Sequence, residues 1–215
     1  MNNNTGFVCF MRNYRQLIIP LITGLVLILG GCGDDNNDPI SAGDTPQDVL
    51  DRGWIEFEAG NYNAALTDFQ TAFERDGTLA DALNGSGWAS GRMEGNLNEA
   101  EDYFSGCLAQ DTTMYDALGG WVFIAFQQGN WEGTISKADS LLHRRPGWRF
   151  LHEPTIDFYD IYLVIATSYC KFGDYQSALN IVVTYLNPEF EADIVSALGQ
   201  RELLDEIERL SRIYG

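Results

Sequence analysis

The sequence predicts an all-α fold: a stack of about four helix hairpins closed by a C-terminal helical segment. Three observations carry that expectation. A short pattern of glycine, then Asn or Asp, then a large apolar residue recurs four times, in Glu58-Ala59-Gly60-Asn61-Tyr62, Met93-Glu94-Gly95-Asn96-Leu97, Gln127-Gln128-Gly129-Asn130-Trp131 and Lys171-Phe172-Gly173-Asp174-Tyr175. The four glycines are 35, 34 and 44 residues apart. Five residues past each glycine stands Ala65, Ala100, Thr134 or Ala178, and nine past it Phe69, Phe104, Ala138 or Val182. Each pair sets a small residue and a core filler one turn apart on one helix face. A lone hairpin cannot bury both of its faces, so the units must stack.

Taken from the N-terminus, the first segment reads as an address. Arg12 and Arg15 are the only charges in residues 1–31, and an apolar run from Leu17 to Leu29 follows them. That run is shorter than the ~20 residues a spanning helix needs, and it has the layout of a signal peptide. It ends in Leu29-Gly30-Gly31-Cys32, which resembles the lipobox of bacterial lipoproteins. The resemblance implies cleavage before Cys32 and lipidation of its thiol. Met11 is an alternative start, since the residues before it add nothing to the signal.

Residues 32–45 then form an acidic, Asn-rich tether. Asp34, Asn36 and Asp38 open like a calcium loop, but Pro39 and Thr45 stand where the loop needs Gly and Glu. The tether ends at Thr45-Pro46-Gln47-Asp48, an N-cap threonine with proline at the first helical position and an acid at the third.

Within each hairpin, the glycine is expected in the left-handed conformation at the end of the first helix, with Asn or Asp capping the second. Trp54, Trp88 and Trp121 stand about two turns before the first three glycines. The period near 34, the glycine-bounded turn, and the alanine followed by an aromatic residue resemble the tetratricopeptide repeat. The resemblance covers residues 46–188, in units of about 46–77, 78–112, 113–146 and 156–188 with an insert at 147–155, and implies a right-handed α-solenoid. The third small position of that pattern is met by Ala72 and Cys107 but not by Leu141 or Tyr185. The closing proline is met at Pro146 and displaced at Pro188. Repeat three departs furthest, with Thr134 and Ala138 at its key positions. A one-residue shift in the turn of repeat two accounts for the spacing of 35. Residues 189–215 carry Ile194, Leu198, Leu203, Leu204, Ile207, Leu210 and Ile213 at helical spacing, as one or two closing helices would.

Cys107 and Cys170 fall on helices separated by both helices of repeat three. Neighbouring helix axes are ~8–10 Å apart, beyond the ~7 Å reach of a disulfide, so the pair is expected unbridged.

Charge bounds the function classes. Lys and Arg total 13 against 31 Asp and Glu, a net charge of −18. Without residues 1–31 the chain has 11 basic and 31 acidic residues, net −20. Such a field opposes nucleic-acid binding and contact with anionic lipid, leaving the acyl chains as the membrane contact. The two histidines, His143 and His152, have no cysteine pair near them at zinc spacing, and no nucleophile or nucleotide motif occurs. No metal, cofactor or enzymatic activity is expected.

Two surfaces are candidates for binding. The resemblance implies a concave groove lined by the first helices of the hairpins: Trp54, Phe57 and Glu58; Ala89, Arg92 and Met93; Phe123, Phe126 and Gln127; Thr167 and Lys171. The competing reading makes Trp54, Phe123 and Phe126 inter-repeat core. The second surface is the insert, where Arg144, Arg145, Trp148, Arg149 and Phe150 form the one cationic aromatic stretch. Its alternative is a long connector whose rings pack on the repeats and whose arginines pair with local acids.

These features point to a lipid-anchored, periplasm-facing scaffold that binds a protein or peptide partner in an envelope assembly. Gly33 after the cysteine favours the outer membrane, by resemblance to enteric sorting. The alternatives are an accessory subunit of a cell-wall or glycan enzyme system and an unrecognised hydrolase.

Overall fold

Threonine 45 starts the first helix as the sequence predicts. Its hydroxyl accepts from the Asp48 N–H, and Asp48 accepts from the Thr45 N–H in return, a capping box with Pro46 just inside it. The structure, a computed structural model, describes residues 43–214. The signal segment, Cys32 and the tether up to residue 42 lie outside the described residues.

Nine helices follow among the described residues: α1 Pro46–Glu58, α2 Tyr62–Arg75, α3 Ala80–Arg92, α4 Leu97–Gln110, α5 Tyr115–Gln127, α6 Trp131–Arg144, α7 Phe158–Phe172, α8 Tyr175–Ile181 and α9 Ala197–Tyr214. They pair as α1–α2, α3–α4, α5–α6 and α7–α8, and each hairpin packs on the next. Gly60, Gly95, Gly129 and Gly173 all have φ between 75° and 89°, the left-handed conformation their turns require. Met93 is extended and adds one residue to the α3–α4 turn, the physical source of the spacing of 35. The expected caps of the second helices form only in part. Asn130 and Asp174 accept from backbone N–H groups, whereas the Asn61 side chain turns to Glu56 and Asn96 makes no cap bond.

The stack is keyed by rings set into glycine gaps. A Cβ added at Gly53 or Gly85 would lie 2.6 Å from the Phe69 ring. Added at Gly87 or Gly120, it would lie 2.6 or 2.2 Å from Phe104. Each ring of a second helix therefore sits between glycines of its own first helix and the next one, and both rings are fully buried. Repeat three reverses the sizes. Ala138 takes the place of the ring, Val122 replaces the glycine, and α7 presents buried Leu163, Val164 and Ile165. Its departure from the pattern is a transfer of bulk from the second helix to the first. Arg52 adds a bidentate bridge from α1 to the buried Asp68 of α2, at 2.8 and 2.7 Å.

Beyond α8 the chain makes a π-helical turn over Val182–Leu186, and a single closing helix, α9, follows. Leu203, Ile207 and Leu210 are its buried stripe, narrower than the sequence suggests, because Leu198, Leu204 and Ile213 face outward. Tyr214 stacks on Tyr159 of α7 with centroids 4.4 Å apart, and Asn187 donates to Glu206. Cys107 on α4 and Cys170 on α7 are both reduced and buried.

The ring-in-gap device makes a specific prediction. Gly120→Ala drives a methyl into Phe104 and should destabilise the protein by about 1–3 kcal/mol in thermal or denaturant unfolding. Adding Phe104→Leu should recover part of that loss. Strict additivity of the two changes would contradict the arrangement.

Candidate functional site

Helices α1, α3 and α5 present their ninth residues, Trp54, Trp88 and Phe123, in one row. Trp121 is not in that row. Its indole donates to Glu101 of α4 and its ring lies under the Lys137 ammonium, on another side of α5. Counting back from the turn glycine selects Trp121, but counting from the helix start selects Phe123, and the second register is the structural one. Indole N–H groups also latch successive helices: Trp54 donates to the Asp81 carboxylate at 3.0 Å, and Trp88 to the Asp116 carbonyl at 3.1 Å.

The connector between α6 and α7 lies against this row. Residues 148–152 run Trp-Arg-Phe-Leu-His with alternating exposure. Trp148 and Phe150 are buried, His152 is half-buried, and Arg149 and Leu151 face outward. The Phe150 ring stacks on Trp88 with centroids 3.9 Å apart and 11° between planes, and meets Trp54 and Phe57 edge-on. His152 stacks on Trp54 at 3.6 Å and 1°, and its Nδ1 is 2.9 Å from the Glu58 carboxylate. Trp148 covers Gly119, where a Cβ would lie 2.3 Å from the ring, and its indole donates to Asp116 at 2.8 Å. Glu153 forms an ion pair with Arg92, whose guanidinium also lies over Phe57 and Tyr62. The connector folds back on itself as well: Phe150 N–H donates to the Ile156 carbonyl, and Arg149 forms an isolated bridge with Asp157.

The structure thus brings most of the sequence-selected residues together, with the insert as the occupant of the groove. Trp54, Phe57 and Arg92 meet Phe150, His152 and Glu153. Trp148 and Phe150 are turned inward onto this chain's own helices, the packed-connector reading of the insert. Arg144, Arg145 and Arg149 are exposed, with Arg144 donating to the Thr112 carbonyl and Arg149 paired to Asp157. Met93 sits in the α3–α4 turn, Phe126 packs on Trp131, and Phe123 is buried beside Trp88. Sequence reasoning passed over Trp88, Asp116, His152 and Glu153 as groove residues. The signal for the insert was its two-residue alternation of aromatic and non-aromatic side chains, which gives it one apolar face.

Burial sets the electrostatics. Desolvation raises the Asp116 carboxyl, opposed by the Trp148 indole, the Leu151 amide and His152 around it. Asp160, whose carboxylate accepts from the Asp157 N–H at the base of the connector, is pushed up to about 7 by burial, with Asp157 and Glu153 adding repulsion. Burial also pushes the Cys107 thiol up to about 12 and Cys170 to about 11, so neither is an activated nucleophile. Among the described residues no group of three His, Cys, Asp or Glu could hold a metal ion, and no helix is long and apolar enough to cross a membrane. An open depression between α6 and α7 is lined by Glu132, Ser136, Asp139 and Tyr169 among others.

No protein-family model matches the sequence, and no curated protein does. Solved structures do match it in shape. A crystal structure of MamA superposes with a TM-score of 0.56 at 18% identity, covering 82% of this chain and 83% of that one. A MamA RS-1 double mutant gives 0.56 at 14% identity, covering 80% and 97%. A tetratricopeptide repeat protein from Parabacteroides merdae gives 0.54 at 16% identity, covering 80% of this chain and 64% of that one. At such identities the likeness is one of fold. That fold is a tetratricopeptide-type α-solenoid.

Two predictions test the site. Trp148→Ala combined with Arg149→Ala removes a buried ring and should cost roughly 3–5 kcal/mol, lowering the melting temperature by about 10 °C. An unchanged melting temperature would place Trp148 outside the packed groove. Asp160 supplies the second. Its folded pKa of about 7 lies above the ordinary 3.8, so its contribution is fully present below pH ~4 and is lost as pH rises towards 7. Asp160→Asn keeps the acceptor for the Asp157 N–H without the charge. It should stabilise the protein more at pH 8 than at pH 5, as read from denaturant midpoints.

Proposed function

We propose that this protein is a lipid-anchored, periplasm-facing scaffold that holds a protein or peptide partner in an envelope assembly, with no chemistry of its own. The observation that carries the reading is the aromatic face of α1, α3 and α5. It grips a non-helical segment through alternate side chains, Trp148, Phe150 and His152, the way a solenoid of this kind would hold a peptide. The anchor rests on Leu29-Gly30-Gly31-Cys32 behind the apolar run, and the outer-membrane choice on Gly33. The net charge of −20 beyond residue 31 favours partners that approach by surface complementarity rather than by a basic patch.

In-cell crosslinking with mass spectrometry should recover a recurrent envelope protein linked to residues of the array. Crosslinks confined to copies of this chain would oppose the scaffold reading. Cys32→Ala should abolish incorporation of labelled lipid and block maturation at this site. Continued labelling of that variant would show that the address has been misread.

A further inference from the structure

The groove over α1, α3 and α5 holds residues 148–153 as a peptide would be held. The segment is non-helical and bends at Leu151 and His152, its inward side chains are two residues apart, and its polar contacts to the helices end on side chains: Asp116, Glu58 and Arg92. Its backbone-to-backbone bonds stay within the connector, from Trp148 N–H to Arg145, Phe150 N–H to Ile156 and Ile156 N–H to Glu153, and the Leu151 N–H bonds the Asp116 carboxyl. Its outer face is open to solvent, with Leu151 72% exposed. The hairpin can therefore lift from the helices without breaking any of their backbone hydrogen bonds.

One contact is incomplete. Only Nη2 of Arg92 meets the Glu153 carboxylate, while Nε of the same guanidinium is buried with no partner. A buried donor left unmade is costly, and guanidinium matches a carboxylate best when Nε and Nη2 are engaged together. The resident segment reaches Arg92 from a connector fixed at both ends by α6 and α7. A separate peptide is free of that constraint.

We propose that residues 148–153 are a resident ligand which a partner peptide replaces. The partner presents aromatic side chains two residues apart and a carboxylate three residues after the second. The rings take the places of Trp148 and Phe150 against Gly119 and Trp88, and the carboxylate spans Nε and Nη2 of Arg92. The proposal rests on the scaffold reading only for the existence of such a partner. A tethered segment competes at an effective concentration of roughly millimolar, so the groove of the resting protein is nearly closed to weak ligands.

The probe is a fluorescent synthetic peptide with the sequence of residues 147–154, Gly-Trp-Arg-Phe-Leu-His-Glu-Pro, titrated by anisotropy. Glu153→Gln removes the resident carboxylate and leaves every buried ring in place. The peptide should bind this variant at least tenfold more tightly than wild type, and adding Arg92→Met should abolish the gain. Equal affinity for wild type and Glu153→Gln, or a gain that survives Arg92→Met, overturns the proposal. Hydrogen exchange on the wild-type chain gives a reading that needs no variant. The bonded amides of Phe150 and Ile156 should exchange at least tenfold faster than those at the centres of α3 and α5. If they exchange only with the helices, the connector is permanent core and no ligand replaces it, while crosslinks to the outer surface would still uphold the scaffold.

Discussion

Phe150 lies flat on Trp88, and His152 flat on Trp54, so the first two repeats are joined to the connector that links the last two. Much of the arrangement depends on this stacking. A solenoid contacts mainly its nearest neighbours, and its stability is close to a sum of repeat and interface terms. Here a segment that follows repeat three touches α1 of repeat one, through His152 and Glu58. The long-range contacts tie the ends of the described array into one unit and raise the cost of opening repeat one alone. They also occupy the face on which a binding function would otherwise be read.

The helical frame was legible because it depends on local chemistry. Four glycines mark four left-handed turns, and Thr45-Pro46-Gln47-Asp48 marks a helix start; both signals lie within a few residues of one another. Small-then-large pairs such as Ala65 and Phe69 were legible for the same reason. The destination of the insert was not. Nothing in Trp148-Arg149-Phe150-Leu151-His152 specifies which surface its alternate side chains meet, because that surface is assembled from α1, α3 and α5, up to about a hundred residues away. The exchange of Phe for Ala at position 138 was visible as degeneracy. Its meaning needed the compensating bulk of Val122 and α7.

The groove offers rings for stacking, acids at Glu58 and Asp116, and one buried cation at Arg92. That combination suits recognition of a non-helical segment by side-chain type, since flat aromatic faces and a planar guanidinium are rigid and specific at low entropic cost. The thiols have raised pKa values and lie in core positions, and the raised carboxyl of Asp160 serves a helix cap. The groove's chemistry thus supports the proposal that it holds a partner.

The occupied groove is the central claim, and proton NMR of the two histidines tests it most directly. His143 is exposed on α6 and serves as an internal reference, whereas the His152 ring lies 3.6 Å over Trp54. One histidine should show ring protons shifted strongly upfield by the indole, and Trp54→Leu should return them to the position of the other. Two histidines with the same unshifted signals in the folded wild-type protein would contradict the docked connector.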